Sequence, residues 1–230
     1  MPTNFWLGSF LLATLLGCGA DRGATADPPP VRQVASPPAV PASLTAAEIA
    51  SLRFMREAEK LAHDVYVALE GQRFVFARIQ QAERRHFEII GSLLERYGVP
   101  DPAAGRGPGE LQDPALRALY LELVERGKRS QLDAFAVGLE IEELDIADLE
   151  RAKRGVTRAD ILRVYDNLQR ASRNHLRAFH RNLVALGGTY TPKHLERAAF
   201  ERIAREPMER GMGMGMGMGP RGGMGPGPRP

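Results

Sequence analysis

A single cysteine, Cys18, in 230 residues rules out an intrachain disulfide. Aromatic residues make up only 7% of the chain, and no stretch alternates apolar with polar residues over the length of a strand. The middle of the chain is therefore left to helices. Charge of one sign is also missing. The 31 Lys+Arg stand against 28 Asp+Glu, and both signs mix within single segments such as "LYLELVERGKRS", residues 119–130. Without a basic stripe, nucleic acid is not expected as a partner. No apolar run is long enough to span a bilayer; Phe5 to Leu16 suits the h-region of a signal peptide instead.

That run ends in "LLGC", Leu15 to Cys18, which resembles a bacterial lipobox, although no Lys or Arg precedes it. Residues 1–18 are read as a signal peptide with Cys18 as its lipidation site, the alternatives being cleavage elsewhere or an uncleaved anchor. The expected location is the bacterial cell envelope, lipid-anchored or secreted, with membrane contact only through this N-terminal anchor. Residues 19–42 contain "DPPPVRQVASPPAVPA" and read as a Pro/Ala-rich linker. Residues 207–230 form a Gly/Met/Pro-rich tail that should stay disordered.

Residues 43–206 carry repeated helix signals. Thr45 with Glu48 forms a capping-box pattern for a first helix ending at Gly71. A second runs from about Phe74 to Tyr97. Asp113-Pro114 opens a short helix that ends at Gly127. Ser130 with Asp133 opens a third long helix ending near Gly155, and Thr157 with Asp160 opens a fourth ending at Gly187-Gly188. Thr191-Pro192 should begin a last short helix to about Arg205. Two tight antiparallel hairpins joined by one long crossover make the ferritin-like variant of the four-helix bundle.

Each long helix has an apolar stripe broken near mid-length by polar residues. Glu59 breaks the first, between Met55 and Ala62. Glu83 and His86 break the second, between Ile79 and Ile90. Glu142 breaks the third, between Leu139 and Ile146, and Ser172 and His175 break the fourth, between Leu168 and Phe179. In the first hairpin, Glu59, Glu83 and His86 stand at matching heights. In the second, Glu142 and His175 differ by ~10 Å if both helices reach their glycines. An uncompensated buried carboxylate costs several kcal/mol, and neighbouring carboxylates repel one another. A pair of divalent cations resolves this, because carboxylates can bridge two ions and neutral imidazoles complete the set. A Glu-x-x-His helix face opposite single glutamates is the pattern of di-iron and di-manganese carboxylate sites.

The segments "REAEKLAHDVY", "QAERRHFEIIGSLLERYG", "GLEIEELDIADL" and "SRNHLRAF" resemble the ferritin-like family labelled domain of unknown function 2202, over roughly residues 48–205. More distantly the chain is similar to rubrerythrins and ferritins. The resemblance implies two iron (or manganese) ions held by Glu59, Glu83, His86, Glu142 and His175, with oxygen or peroxide as reactant. It also places Tyr66 beside the site. The fourth-helix motif departs from the family pattern, since Ser172 stands where a carboxylate is expected and is a poor ligand for a hard cation. Glu143, Asp145 or a water are the candidates to fill that position.

Two further features stand apart. His63 follows Glu59 by four residues, one position off the stripe, and is read as a possible extra ligand or as a partly exposed histidine. The tail places Met212, Met214, Met216 and Met218 at alternate positions. Their thioethers suit soft ions such as cuprous copper. Two functions follow: a dinuclear iron or manganese centre with oxidase or peroxide-reducing chemistry, or a non-catalytic envelope module whose Met-rich tail binds copper or a partner.

Overall fold

A computed structural model describes residues 43–210 of the chain. Cys18, the expected signal peptide and linker, and Met212, Met214, Met216 and Met218 lie outside the described residues. Among those residues there are six α-helices and no strand: α1 (Ala46–Leu69), α2 (Phe74–Arg96), α3 (Pro114–Gly127), α4 (Gln131–Arg154), α5 (Ala159–Ala185) and α6 (Arg197–Arg205). None of them is long and apolar enough to cross a membrane.

The helix starts follow from local chemistry. At α1, Thr45 and Glu48 form the reciprocal capping box, each side chain serving the other's backbone N–H. Asp113 caps α3 with Pro114 in its first turn, and Ser130 caps α4. The start of α5 differs from expectation, because Thr157 does not cap it. Its N–H and hydroxyl both donate to Glu48 Oε1, at 3.0 Å each, tying the α4–α5 turn to the start of α1. Residues 191–196 also differ, since α6 begins only at Arg197. The N–H groups of Lys193 and Leu195 are taken by the buried Glu143 carboxylate, at 3.1 Å each, which holds this stretch out of a helix.

The α1/α2 and α4/α5 hairpins pack through α1 against α4 and α2 against α5. The crossover between them carries α3, which packs on α1 and α4. Outward residues of α1 hold the crossover down. Arg56 pairs with Asp101 at 2.8 Å, and the Glu57 carboxylate accepts from the backbone N–H groups of Gln112 and Asp113. On α4, Gly138 lets α5 come close, since a Cβ there would stand 2.8 Å from the Phe179 ring.

Two apolar clusters occupy opposite ends of the long helices. One contains Ala62, Tyr66, Phe76, Ile79, Phe135, Leu139 and Phe179. The other contains Leu52, Met55, Ile90, Leu149, Tyr165 and Leu168. On α1, α2 and α5 the chain passes from one cluster to the other through a buried polar position, at Glu59, Glu83 and Ser172, while on α4 Glu142 and Asp145 lie just before the crossing, with Ile146 still in the first cluster.

The C-terminal end of the described chain is pinned where the sequence suggests a tail. Arg177, with no exposed surface, donates to the Ile203 carbonyl at 2.8 Å and to Glu209 at 2.9 Å. Asn174 accepts from Glu209 N–H at 2.8 Å and donates to its carbonyl at 3.0 Å.

Candidate metal centre

The layer between the two apolar clusters is built by four helices. Glu59 comes from α1, Glu83 and His86 from α2, Glu142 and Asp145 from α4, and His175 from α5. The three glutamates are 1% exposed or less and Asp145 is 4% exposed. The i, i+3 spacing of Glu83 with His86, and of Glu142 with Asp145, puts each pair on one helix face.

Glu83 is central. Its Oε2 lies 2.7 Å from His86 Nδ1, and its Oε1 lies 2.7 Å from His175 Nδ1. His86 Nδ1 is also 3.4 Å from Glu59 Oε2, and His175 Nδ1 is 3.5 Å from Glu142 Oε1. Two ligand groups result, Glu59–Glu83–His86 and Glu83–Glu142–His175, each with its candidate ligand atoms within 4.8 Å of one another. Glu83 belongs to both. The two imidazole rings lie 5.9 Å apart, 25° from parallel.

The expected height mismatch between Glu142 and His175 is therefore closed. Residues 155–158 are not helical, so Glu142 lies 12 residues before the end of α4 and His175 lies 16 after the start of α5; the offset falls to about four residues, ~6 Å, which side-chain reach covers.

Tyr66 donates to Glu142 Oε1 at 2.7 Å. Burial, with Glu142 beside it, pushes the Tyr66 phenol well above its usual range, so it remains a donor. Burial also raises Glu59 and Glu142 to about 7, opposed mainly by His86 and His175 respectively. Burial works to raise Glu83 too, but the charges of His175 and His86 outweigh it and hold Glu83 low. Burial would lower both histidines, yet Glu83 first among the carboxylates raises them, His175 to about 10. Asp145 is raised by burial and by Glu59, Glu142 and Glu83. The carboxylates and imidazoles thus act as one coupled set.

Hydrogen bonding leaves that set unfinished. Both oxygens of Glu59, Glu83 Oε1, Glu142 Oε2, Asp145 Oδ2 and His175 Nδ1 are buried without a hydrogen-bond partner. Glu83 Oε1 and His175 Nδ1 are close enough to bond but not aligned to do so. Buried polar atoms are normally paired, so six orphans in one layer call for an explanation.

Three sequence candidates lie elsewhere. Glu143 is fully buried, but it faces the chain after α5, accepting from the Tyr190 hydroxyl at 2.6 Å and from backbone N–H groups. That network occupies its carboxylate, so Glu143 does not fill the position left by Ser172. His63 Nδ1 is 3.0 Å from Asp64, whose carboxylate also binds Lys60 and the Gly109 N–H of the crossover. It is therefore a contact of the crossover. The Ser172 hydroxyl donates to the Leu168 carbonyl one turn back, at 3.2 Å, and offers the centre no free donor.

The fold and this layer define an all-α protein with a buried carboxylate–histidine centre. The chain belongs to the family described as "Uncharacterized protein domain (DUF2202)", which matches residues 48–207. It is similar to "Uncharacterized protein MJ0754" of Methanocaldococcus jannaschii, 43% identical over 160 residues, which cover 69% of this chain and 86% of that protein. The crystal structure of hypothetical protein MJ0754 superposes with a TM-score of 0.71 at 40% identity, covering 73% of this chain and 97% of the other.

Proposed function

We propose that this is a ferritin-like four-helix bundle protein whose central layer holds two iron (or manganese) ions and acts on oxygen or peroxide. The observation that carries this reading is the set of six buried, unpartnered N and O atoms contributed by four helices. A network closed by protons alone leaves these atoms unsatisfied. Ligands directed at a shared cation need no hydrogen bond to one another.

The donor chemistry fits. Glu59, Glu83, Glu142 and Asp145 supply four negative charges, balancing two divalent ions, and His86 and His175 complete the set as neutral imidazoles. Oxygen-rich donors with two imidazoles suit iron and manganese better than a soft ion. Glu83 is common to both ligand groups and would serve both ions. Asp145 takes the role of the carboxylate missing at Ser172, from α4 instead of α5. Iron or manganese bound there would supply the one-electron steps that oxygen or peroxide chemistry requires. Tyr66 orients Glu142 through its hydroxyl, and the two apolar clusters keep bulk water from the layer on either side. Cys18, outside the described residues, would anchor the chain to the cell envelope.

The test is an anaerobic titration of metal-free full-length protein with ferrous iron, repeated with manganous ion. About two ions per chain are expected. If neither ion binds, the reading fails.

A further inference from the structure

The His175 ring takes part in two surroundings. Its Nδ1 approaches Glu83 and Glu142, and the same residue lines a cleft of about 530 Å³ between the start of α2 and the second half of α5. That volume is in the range of small-molecule sites, about 300–1,000 Å³. Val75, Ile79, Ala178 and Met208 give the cleft an apolar lining, and Phe74 borders it while 77% exposed.

The charge of the cleft is one-sided. Arg73, Arg78 and Arg181 line it, and no Asp or Glu does. Arg73 donates to the neutral Gln131 side chain, at 3.0 Å from Nη2. Arg78 and Arg181 have no ion pair or hydrogen bond among the described residues, unlike Arg173 and Arg177 of α5, which pair with Glu209. Three uncompensated guanidinium groups over low-dielectric walls raise the local potential and attract anions. They also repel metal cations, so this cleft does not suit the entry of iron. Nor do they favour the chain's own tail, since residues 211–230 contain two arginines and no acid.

We propose that this cleft binds a free organic carboxylate with an apolar tail, the arginines taking the carboxylate and the lining taking the tail, with the ligand seated against His175. The binding itself rests only on the cleft. The link to the metal centre rests on the function proposed above. A ligand held there would lie next to a metal-bound imidazole, on one side of the centre.

Titration calorimetry of full-length protein, metal-free and manganese-loaded, with decanoate, decanol and decyltrimethylammonium tests the proposal. One decanoate should bind per chain, at least tenfold tighter than decanol, and the cation should not bind. Arg78 and Arg181 are both exposed, so the double variant Arg78→Gln/Arg181→Gln should keep its circular dichroism spectrum. It should lose at least tenfold in decanoate affinity with decanol binding unchanged. Equal affinity for decanoate and decanol, or an unaffected double variant, would overturn the proposal. So would binding only to phosphatidylglycerol vesicles, lost in the same variant, which would assign the arginines to a membrane surface. Metal content measured on the same samples separates the two readings. Decanoate binding without metal uptake sinks the centre and keeps the cleft, and metal uptake without decanoate binding does the reverse.

Discussion

Glu83 Oε1 on α2 and His175 Nδ1 on α5 stand 2.7 Å apart, and neither has a hydrogen bond. Both atoms are buried, and the contact joins one helical hairpin to the other. Glu83 also belongs to both ligand groups, so its removal should act on two ions at once. Glu83→Ala should retain less than half an ion per chain after gel filtration, measured by elemental analysis. Glu59→Ala and Glu142→Ala, each confined to one group, should retain about one. Equal losses in all three variants would contradict a shared Glu83.

Asp145 and Ser172 make opposite predictions. Asp145 has a buried, unpartnered oxygen, whereas the Ser172 hydroxyl is spent on Leu168. Asp145→Asn should weaken the second ion at least about tenfold, in line with losses seen on altering groups around metal sites. Ser172→Ala should leave both affinities within about twofold, a change under ~0.5 kcal/mol. Manganese titrations followed by paramagnetic resonance of the free ion give both values.

Metal removal should cost stability. An ion at a thousand times its dissociation constant adds about 4 kcal/mol to the folded state. For a domain of this size each kcal/mol is worth roughly 2–4 °C, so stripping both ions, about 8 kcal/mol together, should lower Tm by about 16–32 °C. Scanning calorimetry before and after chelation checks this. Reloading with manganese should restore the higher value.

Glu48 sets a separate dependence on pH. Backbone hydrogen bonds from Thr45 and then Thr157 lower its carboxyl from 4.5 to about 2. A carboxyl with a depressed folded pKa contributes stability that is fully present above its unfolded value and is lost as pH falls through the folded one. Glu48→Gln should therefore melt several degrees below the native chain at pH 7. The gap should narrow between about pH 4.5 and about pH 2. A gap that stays constant over that window would show that the charge of Glu48 is not what matters.

Gly138 lies one turn before Glu142, and a Cβ there would meet the Phe179 ring at 2.8 Å. Gly138→Ala should cost about 1–3 kcal/mol through overpacking, despite the better helix propensity of alanine. Chemical denaturation with unchanged m would confirm a loss of stability alone.

The start of α1 was legible in the sequence because Thr45 and Glu48 act within one turn, and local chemistry decides the outcome. The residues that break the apolar stripes were legible for a related reason. A helix has a fixed period, and Glu59, Glu83, His86, Glu142 and His175 could face inward only together. What long-range contacts decide could not be read. Thr157 has the form of a cap but is claimed by Glu48, and 191–196 has a helix-start signal but is held open by Glu143. The choice between Glu143 and Asp145 is of the same kind. Acids two residues apart on one helix point to different neighbours, and only packing shows that Glu143 meets Tyr190 while Asp145 is buried where the charges of Glu59, Glu142 and Glu83 act on it.

The buried layer lies on the seam between the α1/α2 and α4/α5 hairpins, with ligands from both sides. Hairpins close over short stretches of chain, whereas the seam joins segments far apart in sequence, whose larger closure entropy predicts that it closes late. Contacts made after the folding barrier has been crossed leave the rate of folding nearly unchanged and slow the reverse step. Ions on this seam would therefore lengthen the lifetime of the folded chain without hastening its birth, and the same late closure would make their escape wait on the parting of the two hairpins.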